Sequence, residues 1–332
     1  MFVSVVMAVY NGENFIQEAI NSILSQSYEY YELIIINDAS TDDTSKILDE
    51  ITDPRVKIIH LSSNHGAAQA LNIGIEHANG EWIAIHDADD ISVPNRLETQ
   101  IAHLSKRPEL IAIGSWIKCI PGDNQVLENE LQYFEMGRNC ITTDSDIASI
   151  LYHGCPLTHG SVMFSRNAYV TAGKYDANLK IAYDYDLWTR LITLGRIENV
   201  PEVLYYYRRY NESLSNKNMH ETVKELFYSF SKYVRNTIYK YREDYPKFVV
   251  AGSKIGCELF VEQSKSSLEI PLMIYKKERS YLPQLKSWFK RGELDGVILL
   301  DSAVHKHGLI RSLKRYGMEL NRNIFEFYSG GL

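Results

Sequence analysis

The stretch VSVVMAVYNGENFIQEAINSILSQSYEYYELIIIND, residues 3–38, holds two apolar runs separated by an amphipathic segment. VSVVMAV (3–9) is continuously apolar and ends at Asn11-Gly12, as a fully buried strand does. NFIQEAINSILSQ (14–26) places Phe15, Ala19, Ile20, Ile23 and Leu24 on one helical face, and YELIIIND (31–38) is a second buried strand. The same rhythm continues outward. STDDTSKILDEI (40–51) opens with hydroxyls and acids, as a helix N-terminus should. RVKIIHL (55–61) is a strand, AAQALNIGIEHA (67–78) a helix and EWIAIHD (81–87) a fourth strand. Continuous apolar strands alternating with helices predict an α/β, mostly parallel sheet with helices on both faces. Ligands bind beyond the carboxyl ends of such strands. Here those ends are polar: Tyr10-Asn11, Asn37-Asp38, Ser62-Ser63-Asn64 and Asp87-Ala88-Asp89.

Residues 92–150 are mixed, and CIPGDNQVLENE (119–130) reads as the turn of an inserted hairpin. HGSVMFSRNAYVTAG (159–173) reads as strand then helix, YDYDLWTRLITLG (183–195) as a helix, and PEVLYYYRRYNESLS (201–215) as strand and loop. From about 217 the pattern is helical, most clearly in KELFYSFSKYVRNTIYKY (224–241). The expected organisation is a domain over 1–216, with one half at about 1–100 and a second at about 101–216. A basic, mainly helical region over 217–332 follows.

Composition is that of a globular chain: 332 residues, 45% hydrophobic and 23% charged. The net charge of −7 is unevenly spread, with 16 Lys+Arg against 29 Asp+Glu in residues 1–220 and 19 against 13 in 221–332. Four cysteines without metal-ligand spacing suit a reducing compartment. MFVSVVMAVYNG lacks a basic leader and reads as strand. No run reaches the ~18–20 apolar residues of a spanning helix. These features predict a cytoplasmic protein. Tyrosine is frequent, at 23; that suits a stacking surface, or simply a biased composition.

GEWIAIHDADDISVPNR (80–96) sets Asp87, Asp89 and Asp90 directly after a buried strand. Like charges so close raise one another's pKa unless a cation intervenes. A hard divalent ion, Mg²⁺ or Mn²⁺, held by one or two carboxylates and completed by substrate phosphates, would answer them. The competing reading is that the acids cap the next helix. Asp38 ends a neighbouring strand and could accept the N3–H of a uracil, or cap the helix near residue 40.

With these blocks in hand, the sequence resembles a family-2 inverting glycosyltransferase of the GT-A fold (Rossmann-like) followed by a C-terminal helical extension. VSVVMAVYNGENFIQEAINSILSQSY, ELIIINDASTDDT, NHGAAQALNIGIEHANGEWIAIHDADDISVPNRLETQ, HGSVMFSR and YDYDLWTRL occur in the family's order over roughly residues 1–215. The resemblance implies that Ala8, Val9 and Tyr10 hold uracil, with Asp38 on its edge. Asn64, His65 and Gly66 would close over the nucleotide, and Asp87 with Ala88 would meet the ribose. Asp89 would ligate Mn²⁺ or Mg²⁺, and Asp184 would be the general base on the acceptor hydroxyl. His159 would face the acceptor, or be a loop histidine hydrogen-bonded locally.

Two departures stand out. Tyr183 occupies the place of the family's usual Glu before the base, and Asp186 is read as a partner of Arg190 one turn on. The Q-x-x-R-W motif of processive synthases is absent, so single additions are expected. Within the family, LNIGI, DADDI, IAIGSWI and HGCPLTHGSVMFSR look most like bacterial lipooligosaccharide β-1,3-N-acetylglucosaminyltransferases. That implies a UDP-sugar donor, GlcNAc ahead of GalNAc, galactose or glucose, and a glycan or lipid-linked oligosaccharide acceptor. A non-catalytic nucleotide-binding protein of the same fold is the alternative. Nucleotidyltransferases and dinucleotide dehydrogenases are disfavoured, because AVYNGENF supplies no glycine-rich phosphate loop. The basic 276–315 region, with Trp288-Phe289 beside Lys286, Lys290 and Arg291, reads as a peripheral contact with anionic membrane at the inner face, or as a solvated face. Nucleic acid is not an expected partner.

Overall fold

A computed structural model describes residues 1–123, 126–210, 218–275, 281–300 and 303–327, the side chains of 303–307 excepted. The chain forms two compact units, one of Met1–Ile147 with Pro156–Asn216, the other of Ala148–Cys155 with Lys217–Leu332.

The first unit is built on the predicted alternation. Strands β1 (Val3–Val9), β2 (Tyr31–Asn37), β3 (Val56–His60) and β4 (Trp82–Ile85) are parallel neighbours in the order β3-β2-β1-β4. Helices α1 (Ile16–Leu24), α2 (Thr44–Asp49) and α3 (Ala67–Glu76) make the crossovers. Because side chains alternate along a strand, a continuous apolar strand serves two faces. Val3, Val5, Met7 and Val9 join Leu33 and Ile35 against Ile16, Ala19, Ile20 and Ile23 of α1. On the other face α3 approaches so closely that a Cβ on Gly74 would lie 2.6 Å from Val6 Cγ1 and 3.1 Å from Ile36 Cγ1.

The sheet extends through β7 (Met163–Ser165), β6 (Leu110–Pro121), β8 (Arg196–Arg209) and β5 (Ile91–Ser92), giving eight strands. β7 runs antiparallel to both β4 and β6, whereas β6 and β8 are parallel. The expected hairpin after residue 119 is corrected here. β6 is followed by helix α5 (Glu128–Asn139), after α4 (Arg96–Lys106), and finds its partner in the distant β8. Helices α6 (Asp144–Ile150), α7 (Arg166–Thr171) and α8 (Tyr183–Leu191) complete this part of the chain.

The second unit contains the expected helices: α9 (Met219–Thr237), α10 (Lys254–Ser264), α11 (Leu282–Lys290) and α12 (Ala303–Arg315). Among them lies a sheet that the sequence reading did not anticipate. Strands β9 (Lys247–Ala251), β10 (Glu269–Ile274), β11 (Gly296–Leu299) and β12 (Ile324–Glu326) are parallel in the order β10-β9-β11-β12. Residues 148–155 belong to this unit. Tyr152 packs its ring on Tyr233 and Phe325, and His153 Nδ1 lies 2.7 Å from the Glu326 carbonyl oxygen.

The loops after β1 and β2 are laced together. Asn11 N–H donates to Ser40 Oγ at 2.9 Å, Thr41 N–H to Asn11 Oδ1 at 2.8 Å, and Gly12 N–H to Thr44 Oγ1 at 2.9 Å. The lacing holds Asn11 at φ 55° and Ala39 at φ 60°. Asn tolerates that region, but alanine's Cβ is penalised there by ~1–2 kcal/mol. Ala39→Gly should therefore stabilise the protein by about 0.5–1 kcal/mol after glycine's own entropy cost. The check is a rise in the urea midpoint at constant m-value; a lower midpoint would show that Ala39 is not strained.

Candidate functional site

β1 lies between β2 and β4, so the ends of these three strands adjoin on one rim. At the end of β1, Ala8 is half-buried, Val9 buried and Tyr10 exposed. Asp38 is buried just beyond β2, its N–H donating to the Val9 carbonyl at 2.8 Å. Its carboxylate does not cap α2. Oδ1 accepts from His65 N–H at 2.8 Å and Oδ2 from Gly66 N–H at 2.9 Å. Asn64 Nδ2 donates to the Asp38 carbonyl at 3.2 Å, and Gly66 takes φ 85°. Asp38 thus clamps the 64–66 loop, and each carboxylate oxygen can accept a further donor.

The acid turn links β4 to the short β5. β5 pairs with β8, through Ile91 with Tyr206 and Ser92 with Tyr205. β8 also braces the turn directly. Asp87 N–H donates to the Tyr205 hydroxyl at 3.1 Å, Arg208 N–H to Asp90 Oδ1 at 2.6 Å, and Arg208 Nε to the Asp89 carbonyl at 2.6 Å. The acids do not cap α4, which begins only at Arg96. Asp90 is 1% exposed and its Oδ2 has no hydrogen-bond partner. Burial and the charges on Asp89 and Asp87 push its pKa well above the usual carboxylate range. Burial and the Asp87 charge also raise Asp89, to about 7. Ala88, half-buried, packs on the core beneath.

Asp87 differs from its neighbours. Burial would raise its pKa, but His159 beside it, together with His86 and Arg96, outweighs burial and the net shift is downward. His159 Nδ1 lies 3.1 Å from Asp87 Oδ1, and its Nε2 lies 3.0 Å from the Tyr175 hydroxyl. Burial opposes charge on this imidazole, yet Asp87 and then Asp184 raise its pKa overall. Gly160, next in sequence, permits the approach: a Cβ there would sit 1.9 Å from the Tyr205 hydroxyl oxygen and 2.8 Å from Asp87 Oδ2.

Asp184 stands in the first turn of α8, where the helix dipole favours an anion, and its Oδ1 accepts from Tyr185 N–H at 2.7 Å. Tyr183 precedes it and meets His159 and Tyr175 edge-on, with ring centroids 5.4 and 5.5 Å away. Burial, then the charges of Asp87, Asp184 and Asp89, push the Tyr183 phenol well above its ordinary pKa. One ring therefore feels all three carboxylates. Asp186 faces elsewhere: it is buried and pairs with Arg190, Oδ2 to Nη2 at 2.6 Å.

The structure thus brings the sequence-predicted residues together on one rim in two groups. Ala8 to Tyr10, Asp38 and 64–66 form one; Asp87 to Asp89, His159 and Asp184 form the other. Sequence reasoning missed Tyr175, Tyr205, Arg208 and Arg96. Arg96 is 0% exposed beneath the acid turn, donating to the Ile85 carbonyl at 2.9 Å and to Ser92 Oγ at 3.0 Å, with its guanidinium carbon 5.1 Å from the Tyr205 ring centroid. Burial lowers its pKa to about 10, so it stays charged at neutral pH. An arginine inside a strand-following motif, SVPNR, was the available signal.

No group of three or more His, Cys, Asp or Glu among the described residues could hold a metal ion by itself. The donor chemistry nevertheless fits a hard cation. Asp89 supplies carboxylate oxygen, and the like charge of Asp87 close by, which adds to burial in raising its pKa, is one that a divalent ion would relieve.

Two outcomes follow. Arg96→Met should cost about 3–5 kcal/mol in urea unfolding, because it leaves buried acids without their cation. His86, also buried, has its pKa lowered to about 3 by burial and by Arg96, below the ordinary 6.5. The unfolded chain therefore takes up this proton first. The stability contributed by neutral His86 is whole above about pH 6.5 and is lost as pH falls toward 3. That component is on the order of 1.4 kcal/mol per pH unit. His86→Gln should flatten the acid limb of stability against pH; an unchanged slope would exclude His86 as its source.

The model of "Glycosyl transferase family 2" matches residues 4–169. A protein of Haemophilus influenzae described as an uncharacterized glycosyltransferase is 31% identical over 275 residues, covering 81% of this chain and 80% of the relative. The putative glycosyltransferase EpsE of Bacillus subtilis is 33% identical over 222 residues, covering 65% and 76%. Among solved structures, S. aureus TarS 1-349 in complex with UDP-GlcNAc aligns at a TM-score of 0.58 with 17% identity, over 87% of this chain and 79% of that one. The mannosyltransferase PcManGT of Pyrobaculum calidifontis, in complex with GDP-Man and Mn2+, aligns at 0.55 with 22% identity, over 70% and 64%. At such identities these two structures establish the fold, which is of GT-A type.

Proposed function

The chain belongs to glycosyl transferase family 2, and we propose that it is a metal-dependent inverting enzyme moving a sugar from a UDP-sugar to a glycan hydroxyl. GlcNAc is the favoured donor sugar, added singly in β-linkage, in lipooligosaccharide or surface-polysaccharide assembly. The observation that carries the reading is the run of contacts from Asp87, after β4, through His159 to Tyr183, which precedes Asp184 at the start of α8. Two separately positioned sets of acids suit two separate tasks.

In this reading the first set serves the donor. Asp38 accepts the uracil N3–H beside Ala8, Val9 and Tyr10, with the 64–66 loop that it clamps lying over the nucleotide. Asp87, kept ionised with the help of His159, takes the ribose hydroxyls, and Asp89 would hold Mn²⁺ or Mg²⁺. That ion would act as a Lewis acid on the leaving group. PcManGT is described with Mn2+ and TarS with UDP-GlcNAc, which supports both choices.

The second set serves the acceptor. Asp184 takes the proton from the incoming hydroxyl. With one base and no protein nucleophile, displacement proceeds in line and inverts the anomeric centre. Tyr183 and His159, half-buried with Tyr175 buried beside them, are placed along the acceptor's path. A glycan or lipid-linked oligosaccharide fits that lining.

UDP release should be followed over a panel of UDP-sugars, with Mn²⁺ or EDTA and with or without lactose-type acceptors. Acceptor-stimulated, EDTA-sensitive release from one donor is expected; release of no UDP from any donor despite tight UDP binding would favour a binding protein. Asp184→Asn should lower turnover by ~10²–10⁴-fold while donor binding persists. Asp89→Ala should abolish the Mn²⁺-dependence of UDP binding, and equal affinity with and without the ion in the parent protein would remove Asp89 from that role.

A further inference from the structure

Helices α11 and α12 contain no Asp or Glu. Lys286 and Lys290 are exposed on the first, and Arg311, Lys314 and Arg315 on the last turns of the second. None of the five forms an ion pair with a described residue. Many other cations of the unit are matched: Lys224 with Glu221, Arg242 with Asp244 and Asp295, Lys247 with Glu269, Lys254 with Glu258, Arg291 with Glu293, Arg322 with Glu319. The two helices share a core through Leu285, Ile310 and Leu313, and Lys286 Nζ lies 5.2 Å from the centroid of the Tyr316 ring, just past α12. The unmatched charges therefore form one patch.

We infer that this patch docks the protein on an anionic lipid surface by charge alone. Trp288 and Phe289, beside these cations, are half-buried and pack against the unit's core, and Arg291 is taken by Glu293. Residues 276–280 and 301–302 lie outside the described residues and have no part in the argument. The cations sit on long exposed side chains with no buried donors converging between them, which suits an extended array of headgroups rather than one small anion. Nucleic acid is the poorer fit, because the patch offers no free aromatic ring for base stacking. An uncompensated cluster of like charge repels itself, and an anionic bilayer relieves that repulsion.

The full chain should be sedimented with vesicles of phosphatidylglycerol and phosphatidylcholine, and with phosphatidylcholine alone. Binding is expected only with the anionic vesicles, and it should fade as salt shortens the screening length. K286Q/K290Q and R311Q/K314Q/R315Q should each weaken binding, by about fivefold per charge removed. R311K/R315K, which keeps the charge, should bind like the parent, so loss of fold and loss of charge are separable. Asp184→Asn should also bind like the parent, so the result does not depend on the catalytic reading. Equal binding to phosphatidylcholine, no binding to anionic vesicles, indifference to the Gln substitutions, release by inorganic phosphate at matched ionic strength, or tighter binding to duplex DNA would each overturn the inference.

Discussion

A guanidinium sealed from water holds the catalytic unit's site in place. Arg96 lies beneath the acid turn, and its charge partly offsets those of Asp87 and Asp90. Its hydrogen bonds also join elements remote in sequence. Through Ile85 it fixes the end of β4, and through Ser92 the start of β5. Its Nε lies 3.3 Å from Gln100 Oε1, and Gln100 in turn donates to the Ser161 carbonyl at 2.9 Å and the Ile113 carbonyl at 3.3 Å. One buried polar net therefore sets the acid turn, the 159–161 segment that carries His159, and strand β6. Such nets specify a structure strongly because every unsatisfied member would be costly.

His86 and Tyr205 complete this floor. Their rings meet at 5.3 Å, and His86 Nδ1 lies 2.8 Å from the Asp87 carbonyl oxygen. Tyr205 supports the Asp87 N–H from the far end of β8. The acid turn is thus held by backbone and by neutral or cationic groups, with Asp87 Oδ1 meeting His159 and Asp90 Oδ1 taking Arg208 N–H. His159 lies 3.1 Å from Asp87 and helps keep it ionised, whereas Asp89 and Asp90, two and three residues on, are raised by burial and by their neighbours' charges.

Much of this was legible in the sequence because it rests on local pattern. The continuous runs of β1 to β4 announced a sheet covered on both faces, and the polar residues closing them announced the rim. What was hidden depends on distant partners. β6 read as one arm of a hairpin because its partner, β8, lies beyond α5 to α8. In the second unit FVVA and GVIL are fully buried runs of four residues, which periodicity alone does not separate from buried helix. β10 carries Pro271, which argues against a central strand and suits the sheet edge where it lies. Arg96 showed in the sequence only as the arginine of SVPNR, because burial of a charge cannot be read from one chain without knowing what surrounds it.

The segment Ala148–Cys155 has a consequence for inheritance. It lies within the stretch of chain that encodes the catalytic unit, yet it folds with the C-terminal one, where Leu151 is 0% exposed and Tyr152 sits between Tyr233 and Phe325. A recombination event joining residues 1–216 to a different C-terminal half would carry this apolar stretch into a setting with no matching rings. The two halves of the gene are in that sense co-owned, and a successful exchange must cut in three places rather than one.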